Sequence, residues 1–243
     1  MNDATARALN ALNQTFYTES AEQFAATRRA PWPGWQSLLP LVRERCPAAI
    51  LDVGCGSGRF ASFLLRELGA PFLYCGIDAS APLLADAERA LAGLPGTRLL
   101  LADVVLAPDL HELSDERFGC VVAFGLLHHI PQEARRLALL RALAERVAPG
   151  GILALTFWDF ALEPRFARKA VRDAPPELSG QLEPGDMLLR WGADGSPHLR
   201  YCHYTDAAEE ARLLGDLPLA PRLAFASDGR GGRLNRYRVL ERR

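Results

Sequence analysis

Three aspartates, Asp52, Asp78 and Asp103, recur at intervals of 26 and 25 residues. Each lies at or near the end of a short apolar run: Ala49-Ile50-Leu51-Asp52-Val53, Leu73-Tyr74-Cys75-Gly76-Ile77-Asp78 and Leu99-Leu100-Leu101-Ala102-Asp103. Directly after the first comes Gly54-Cys55-Gly56-Ser57-Gly58-Arg59. Glycine there lets the backbone turn sharply and lets a ligand approach with no Cβ in the way. In an α/β sheet, ligands lie across the carboxyl ends of the strands, so the turn and the three acids describe one site. Its charge says what it takes. A dinucleotide fingerprint has a third glycine where this chain has Arg59, and Asp52 would repel a pyrophosphate while favouring a cation. Asp52 is expected to accept a water-mediated hydrogen bond from a ligand ammonium. Asp78 is expected to bridge two ribose hydroxyls and reject a 2′-phosphate, and Asp103 to reach an adenine amino group. Gly54, Cys55, Gly56 and Gly58 form the turn, Ala79 and Val104 follow the second and third acids, and Phe124 and Gly125 close the next strand end. A ligand with ammonium, ribose and adenine at those places, and no pyrophosphate, is S-adenosylmethionine.

The elements that hold this site follow from periodicity. Apolar runs at 48–53, 72–77, 97–101, 119–124 and 151–157 read as strands, and helical spacing fills 57–69, 80–92 and 132–147. A helix at 205–215 and strands at 221–227 and 234–240 complete the set. The expected fold is α/β, a doubly wound, seven-stranded, mostly parallel sheet. Two regions fall outside the alternation. Residues 1–47 read as an N-terminal lid, helical through 5–28 and broken by Pro31-Trp32-Pro33-Gly34-Trp35. Residues 158–203, rich in Pro and Gly, form an insertion after the fifth strand, with a hairpin around Ala193-Asp194-Gly195. An excursion of that length in a compact domain is usually a binding element or lid. The organisation is therefore a lid, 1–47, and a ligand-binding domain, 48–243, with a substrate-side insertion.

Composition narrows the partners. The 243 residues are 49% hydrophobic and 23% charged with a net charge of −1, so no global footprint for nucleic acid exists. Among the basic residues Lys169 is the only lysine, which reads as GC-rich codon usage. The cysteines are scattered, with no C-x-x-C pair and no Cys/His spacing for zinc, so no metal is expected. They read as small buried hydrophobes of a reducing cytoplasm. The N-terminus, MNDATARALN, has no apolar signal segment, and no apolar run is long enough for a membrane span.

Methyl transfer from a sulfonium requires the acceptor atom to be aligned, a contribution of about 7–11 kcal/mol when the geometry is good. A carboxylate acceptor needs no general base, whereas an alcohol or amine does. His128 and His129 follow the fourth strand, on the face where the methyl group would sit, or else pack as helix-start histidines. Tyr17, Arg28 and Trp32 belong to the lid, or to an amphipathic cap. Tyr201, His203 and Tyr204 close the insertion, either as site residues or as a half-buried strand. Tyr17, Arg28, His128 and His203 are the candidates for catalysis.

ILDVGCGSGRF, GIDAS, LADVV, VVAFGLLHHI and RVAPGGILAL, in that order, resemble the successive motifs of the class I methyltransferases. The resemblance implies that the last strand runs antiparallel. A second, narrower one covers most of the chain: LNQTFYTESAEQFAATRRAPWPGW is similar to the N-terminal segment of the wobble-uridine tRNA methyltransferases, with Thr27, Arg28, Pro31, Trp32 and Pro33 matching their T-R-x-x-P-W-P stretch. GDMLLRW, RYCHYTDAAEEARLL and LNRYRVLE, with Asn235 and Tyr237, match later segments. That family esterifies a carboxymethyl group on uridine, which implies a carboxylate acceptor in tRNA or a small molecule. Arg28 would clamp either that carboxylate or the cofactor's own. Eukaryotic members also work with a small zinc-containing activator. The alternative is a small-molecule O- or N-methyltransferase using His128 or His203 as base in an apolar pocket. A tRNA acceptor calls for a cationic surface, and the one local concentration is Arg222, Arg230, Arg233, Arg236, Arg238, Arg242 and Arg243, which a solvent-facing strand would equally explain.

Overall fold

The structure is a computed structural model, and it describes residues 1–20, 30–45, 49–171, 178, 181–191 and 198–243. Seven strands form one sheet: β1 (Ile50–Val53), β2 (Tyr74–Asp78), β3 (Thr97–Leu101), β4 (Phe118–Ala123), β5 (Val147–Trp158), β8 (Ala220–Ser227) and β9 (Asn235–Glu241). Their order is β3-β2-β1-β4-β5-β9-β8, and only β9 runs against the rest. The doubly wound fold and the antiparallel last strand are as the sequence implies. Parallel strands covered on both faces are apolar on both, and all four residues of β1 are buried. Leu51 and Val53 enter one core with Leu139, Leu143 and Leu155; Ile50 enters the other with Trp35, Phe60 and Tyr237.

Helices α3 (Arg59–Leu68), α4 (Ala81–Ala90), α5 (Glu133–Glu145) and α7 (Ala207–Gly215) flank the sheet. Local chemistry sets their starts. Gly58, left-handed at φ 71°, delays α3 to Arg59, two residues later than the periodicity suggests. Ser80 and Asp206 cap α4 and α7 by accepting the Leu83 and Glu209 amides.

Helix α1 (Asp3–Glu19) is capped by Asn2, whose side chain accepts the Thr5 amide. It ends at Glu19, and the remainder of the expected helix to residue 28 lies outside the described residues, as do Thr27 and Arg28. A further helix, α2 (Gly34–Arg43), begins inside the stretch Pro31-Trp32-Pro33-Gly34-Trp35 that reads as a break, and Pro40 stands within it. Its Trp35-Leu38-Leu39-Val42 stripe packs on the sheet. The insertion carries a short helix, α6 (Pro164–Ala167), and an antiparallel pair, β6 (Asp186–Arg190) and β7 (Leu199–His203). The turn expected at Ala193-Asp194-Gly195 lies outside the described residues. Strand β5 begins four residues before the apolar run at 151, at Val147.

Gly34 is where the N-terminal segment meets the last strand. A Cβ there would stand 2.4 Å from the Tyr237 ring, and that ring cannot yield. It stacks on Phe225 at 4.6 Å, and its hydroxyl donates to Asp228. Gly34→Ala is therefore expected to cost about 1–3 kcal/mol in urea unfolding, as overpacking does. Gly93→Ala, where a Cβ meets nothing, is expected to stay within about 0.5 kcal/mol.

Candidate functional site

The glycine turn leaves β1 with Gly54, Gly56 and Gly58 all at left-handed φ (78°, 54° and 71°), a conformation other residues enter at a cost. The Gly54 and Cys55 amides donate to the Ile77 carbonyl at 2.8 and 3.0 Å, tying the turn to β2. A Cβ on Gly56 would meet no protein atom within 4 Å, so its backbone stays open to a ligand in the cavity it lines.

The three aspartates line that cavity, each anchored differently. Asp52 is buried and accepts from the Tyr74 hydroxyl at 2.8 Å. Burial pushes its pKa up to about 7, the Tyr74 hydrogen bond pulling the other way and the Asp78 charge adding to the rise. Asp78 accepts the Gly56 amide at 2.8 Å and the Ser80 amide at 2.9 Å, which fix its carboxylate; burial raises its pKa against those bonds. One oxygen of Asp103 accepts the Val105 and Leu106 amides. The other accepts from Asn10 Nδ2 and Gln14 Nε2, both at 2.7 Å, so the acid expected to face adenine is bound by α1. Tyr74, Asn10 and Gln14 were not foreseen; Asn10 and Gln14 fall at i, i+4 on one helix face, which is signal enough to pair them but not to name their partner. A cationic ligand with vicinal hydroxyls finds an acid at one end and a fixed carboxylate beyond it, so the residues fit S-adenosylmethionine.

The cavity, of about 720 Å³, continues past the cofactor residues. Trp32 lies over Gly125, 3.2 Å from where a Cβ would stand, and stacks with Trp35 at 5.4 Å. Tyr17 reaches in from α1, its hydroxyl 2.7 Å from His129 Nε2. His128 also lines the cavity, its ring 4.8 Å from Trp158. Phe166 and Arg200 meet the Trp158 ring, and Trp191, Arg165, Lys169 and Arg190 of the insertion line the cavity too, as do Arg59 and Asp228. Ala79, Val104, Phe124 and Gly125 line it as well.

His203 is a correction. Among the described residues it is not part of the cavity wall. It is buried between Asp186 (2.8 Å to Nδ1) and Glu209 (2.7 Å to Nε2), and Glu209 also holds Arg136 at 2.8 Å. Burial alone would lower the His203 pKa, but the two carboxylates that accept its hydrogen bonds raise it. The group clamps β6 and β7 to α5 and α7. The alternation Tyr201-Cys202-His203 could not say which face each side chain would take. Three of the seven C-terminal arginines form ion pairs: Arg236 with Asp159 and Glu210, Arg238 with Glu210, Arg222 with Glu241. Arg242 donates to the Ala144 carbonyl. Among the described residues one trio with metal-ligating atoms, His128, His129 and Cys202, comes together within 4.8 Å. Both His129 nitrogens hydrogen-bond protein groups, and burial pushes the Cys202 thiol up to about 11.

The methyltransferase domain family matches residues 51–153. The chain is 31% identical over 144 residues to a tRNA (carboxymethyluridine(34)-5-O)-methyltransferase of Arabidopsis thaliana, covering 58% of this chain and 31% of that protein. It is 31% identical over 157 residues to a protein of Encephalitozoon cuniculi described only as a methyltransferase, covering 64% of this chain and 67% of that one. Thus the chain spans under a third of the plant relative's length. In fold it is similar to a SAM-dependent methyltransferase of Methanosarcina mazei, with a TM-score of 0.63 at 20% identity over 84% of this chain and 97% of that one. The chain belongs to the class I, S-adenosylmethionine-dependent methyltransferases. No helix among the described residues is long and apolar enough to cross a membrane.

Two pH-linked outcomes follow. With its pKa near 7, Asp52 carries charge for a cofactor ammonium only above that pH. Cofactor affinity in calorimetry is expected to rise between about pH 6 and pH 8 more steeply than in Asp52→Asn, which should bind about 10–100-fold more weakly at pH 8. For the ligand-free protein the opposite trend is expected. A raised folded pKa means stability present at low pH is lost as pH rises through about 7, so Asp52→Asn should flatten that part of the thermal-unfolding profile. In the clamp, His203→Gln leaves two buried carboxylates short of a cation and should cost about 3 kcal/mol in the same assay.

Proposed function

We propose that the enzyme O-methylates a carboxylate carried on a planar ring, as in a carboxymethyl group on a tRNA wobble uridine. The observation that carries this reading is the division of charge in the cavity. Among the lining residues Asp52, Asp78 and Asp103 come from the ends of β1, β2 and β3, whereas Arg165, Lys169, Arg190 and Arg200 come from the insertion; Arg59, beside the glycine turn, donates to the Ala30 carbonyl. A cationic wall is costly to leave facing itself and favours an anion, and aromatic rings accept the faces of planar groups. The single lysine of the chain is among those four cations.

When bound, S-adenosylmethionine supplies an electrophilic methyl group, taken by in-line displacement in which the new C–O bond forms as sulfur keeps the electrons of the breaking bond. An ionised carboxylate gives up no proton in that step, so the protein's task is alignment and exclusion of water. Tyr17 and Trp32 close the cavity from the N-terminal side, and Arg28 of the same segment would add a cation, to the acceptor or to the cofactor's carboxylate. The plant relative's name places its own activity on carboxymethyluridine, which supports the tRNA form of the reading.

A second reading rests on His128, which lies against Trp158 in the cavity wall. As a general base it would serve an alcohol or amine on a small molecule. The test is mass spectrometry of products after incubation with labelled cofactor and either total tRNA from cells lacking wobble-uridine esterification or a metabolite extract. A methyl ester on tRNA uridine that alkali removes, formed at saturating cofactor at a rate flat from pH 6 to 8, is the expected result. An alkali-stable product, formed at a rate that falls below a histidine pKa, would overturn it in favour of His128.

A further inference from the structure

Two arginines are buried in the region joining the insertion to the sheet, and they differ in how their charge is met. Arg136, 1% exposed, donates to Glu209, Glu183 and the Ile130 carbonyl. Arg200, 4% exposed in the middle of β7, has no carboxylate within salt-bridge distance among the described residues, and its buried Nε has no hydrogen-bond partner. Its guanidinium lies 4.9 Å from the Trp158 ring and 5.7 Å from the Phe16 ring, and the residue lines the cavity. Cation–π contact offsets part of the cost of burying the charge. It leaves the fork of N–H donors unused, and a buried donor without a partner is a standing penalty.

Arg200 meets the Trp158 ring at 4.9 Å and His128 meets it at 4.8 Å, so the cation and the candidate base share one ring in the cavity wall. The hairpin partner of Arg200 is Leu189, and its neighbours on that face are Cys202, Trp158 and Phe160. An apolar bed fixes a planar guanidinium in one orientation. That is the arrangement in which arginine recognises a carboxylate by two parallel hydrogen bonds, or holds one of its oxygens and leaves the other exposed.

We propose that Arg200 is the specificity-determining anchor for the acceptor's carboxylate. The inference deepens the reading of the site as one for a carboxylate acceptor and rests on it, yet it stands apart from whether that acceptor is tRNA. It adds an anchor in the insertion, independent of Arg28.

The experiment uses the full chain saturated with S-adenosylhomocysteine and three fragments as probes, phenylacetate, its neutral amide phenylacetamide, and phenyl phosphate, titrated by tryptophan fluorescence and calorimetry. The wild type is expected to prefer phenylacetate to phenylacetamide by about tenfold or more, the size of one charge-assisted hydrogen bond. Arg200→Met should abolish that preference, Arg200→Lys should keep part of it, and both should bind S-adenosylhomocysteine as the wild type does. A structural arginine would be missed by the fold. An uncompensated one would not, and Arg200→Met should raise the unfolding temperature by about 2–4 °C. A wild type without preference for the carboxylate, a stronger preference for phenyl phosphate, an Arg200→Met variant that keeps the preference, or one that unfolds at a lower temperature would each overturn the proposal. Methylation of tRNA by an Arg200→Met variant with unchanged KM would overturn it while leaving the tRNA reading intact. Carboxylate preference without any tRNA product would do the reverse.

Discussion

One carboxylate joins the two ends of the chain. Asp228, buried and held at a left-handed φ of 69°, accepts the Gly34 amide at 2.9 Å, Asn235 Nδ2 at 2.8 Å and the Tyr237 hydroxyl at 2.6 Å. A buried charge is tolerable only when hydrogen bonds replace its water, and here three donors do so. The first donor opens α2, so the carboxylate also faces the positive end of that helix. Trp32 and Trp35, the roof of the cavity, are positioned from this point. The cradle beneath them is made by β1 and its turn, the α2 stripe packs them on the sheet, and Asp228 ties their start to β9.

Charge in the cavity follows the elements that supply it. Acids occupy the ends of β1, β2 and β3 because strand ends in a doubly wound sheet converge on one crevice. Four cations enter from the insertion, Arg165 from its short helix α6 and Arg190 and Arg200 from its strand pair, with Lys169 between them. The sheet therefore fixes the cofactor end, and chain added to the sheet fixes the acceptor end. The two can vary independently, which is why a shared fold says so little about what is methylated.

How much of this was legible in the sequence follows the same division. The strand ends were readable because a strand, a glycine turn and an acid are adjacent in the chain: Asp52 with Gly54, Asp78 with Ile77. The fold class and all seven strands of the sheet came from local periodicity. The acceptor end was readable only in part: Tyr17 and His128 stood out by type, but Trp158, Lys169 and Arg200 join them only through packing. His203 looked like a site residue for its type and its neighbours, yet it is buried in an ion cluster with Glu209. Arg200, three residues before it, carried no mark of its own, and only its missing partner distinguishes it. Asn235 and Tyr237 matched a family pattern whose reason was invisible until Asp228 supplied it. Helix α2 was missed because proline was given more weight than the Trp35-Leu38-Leu39-Val42 stripe.

The place of β9 has a consequence for how the molecule comes into being. It follows β8 in the chain, yet it lies inside the sheet, between β5 and β8. It also carries Tyr237, against which Gly34 packs. Chains are synthesised from the N-terminus, and domains usually fold as they emerge. Here α1 and α2 find partners on β7 and on β1 and α3, but the contacts of Gly34 with Tyr237 and Asp228 wait for β9 and span a long stretch of sequence. Long-range pairing of this kind slows folding. The docking of α2 against β9 is thereby among the later steps of assembly.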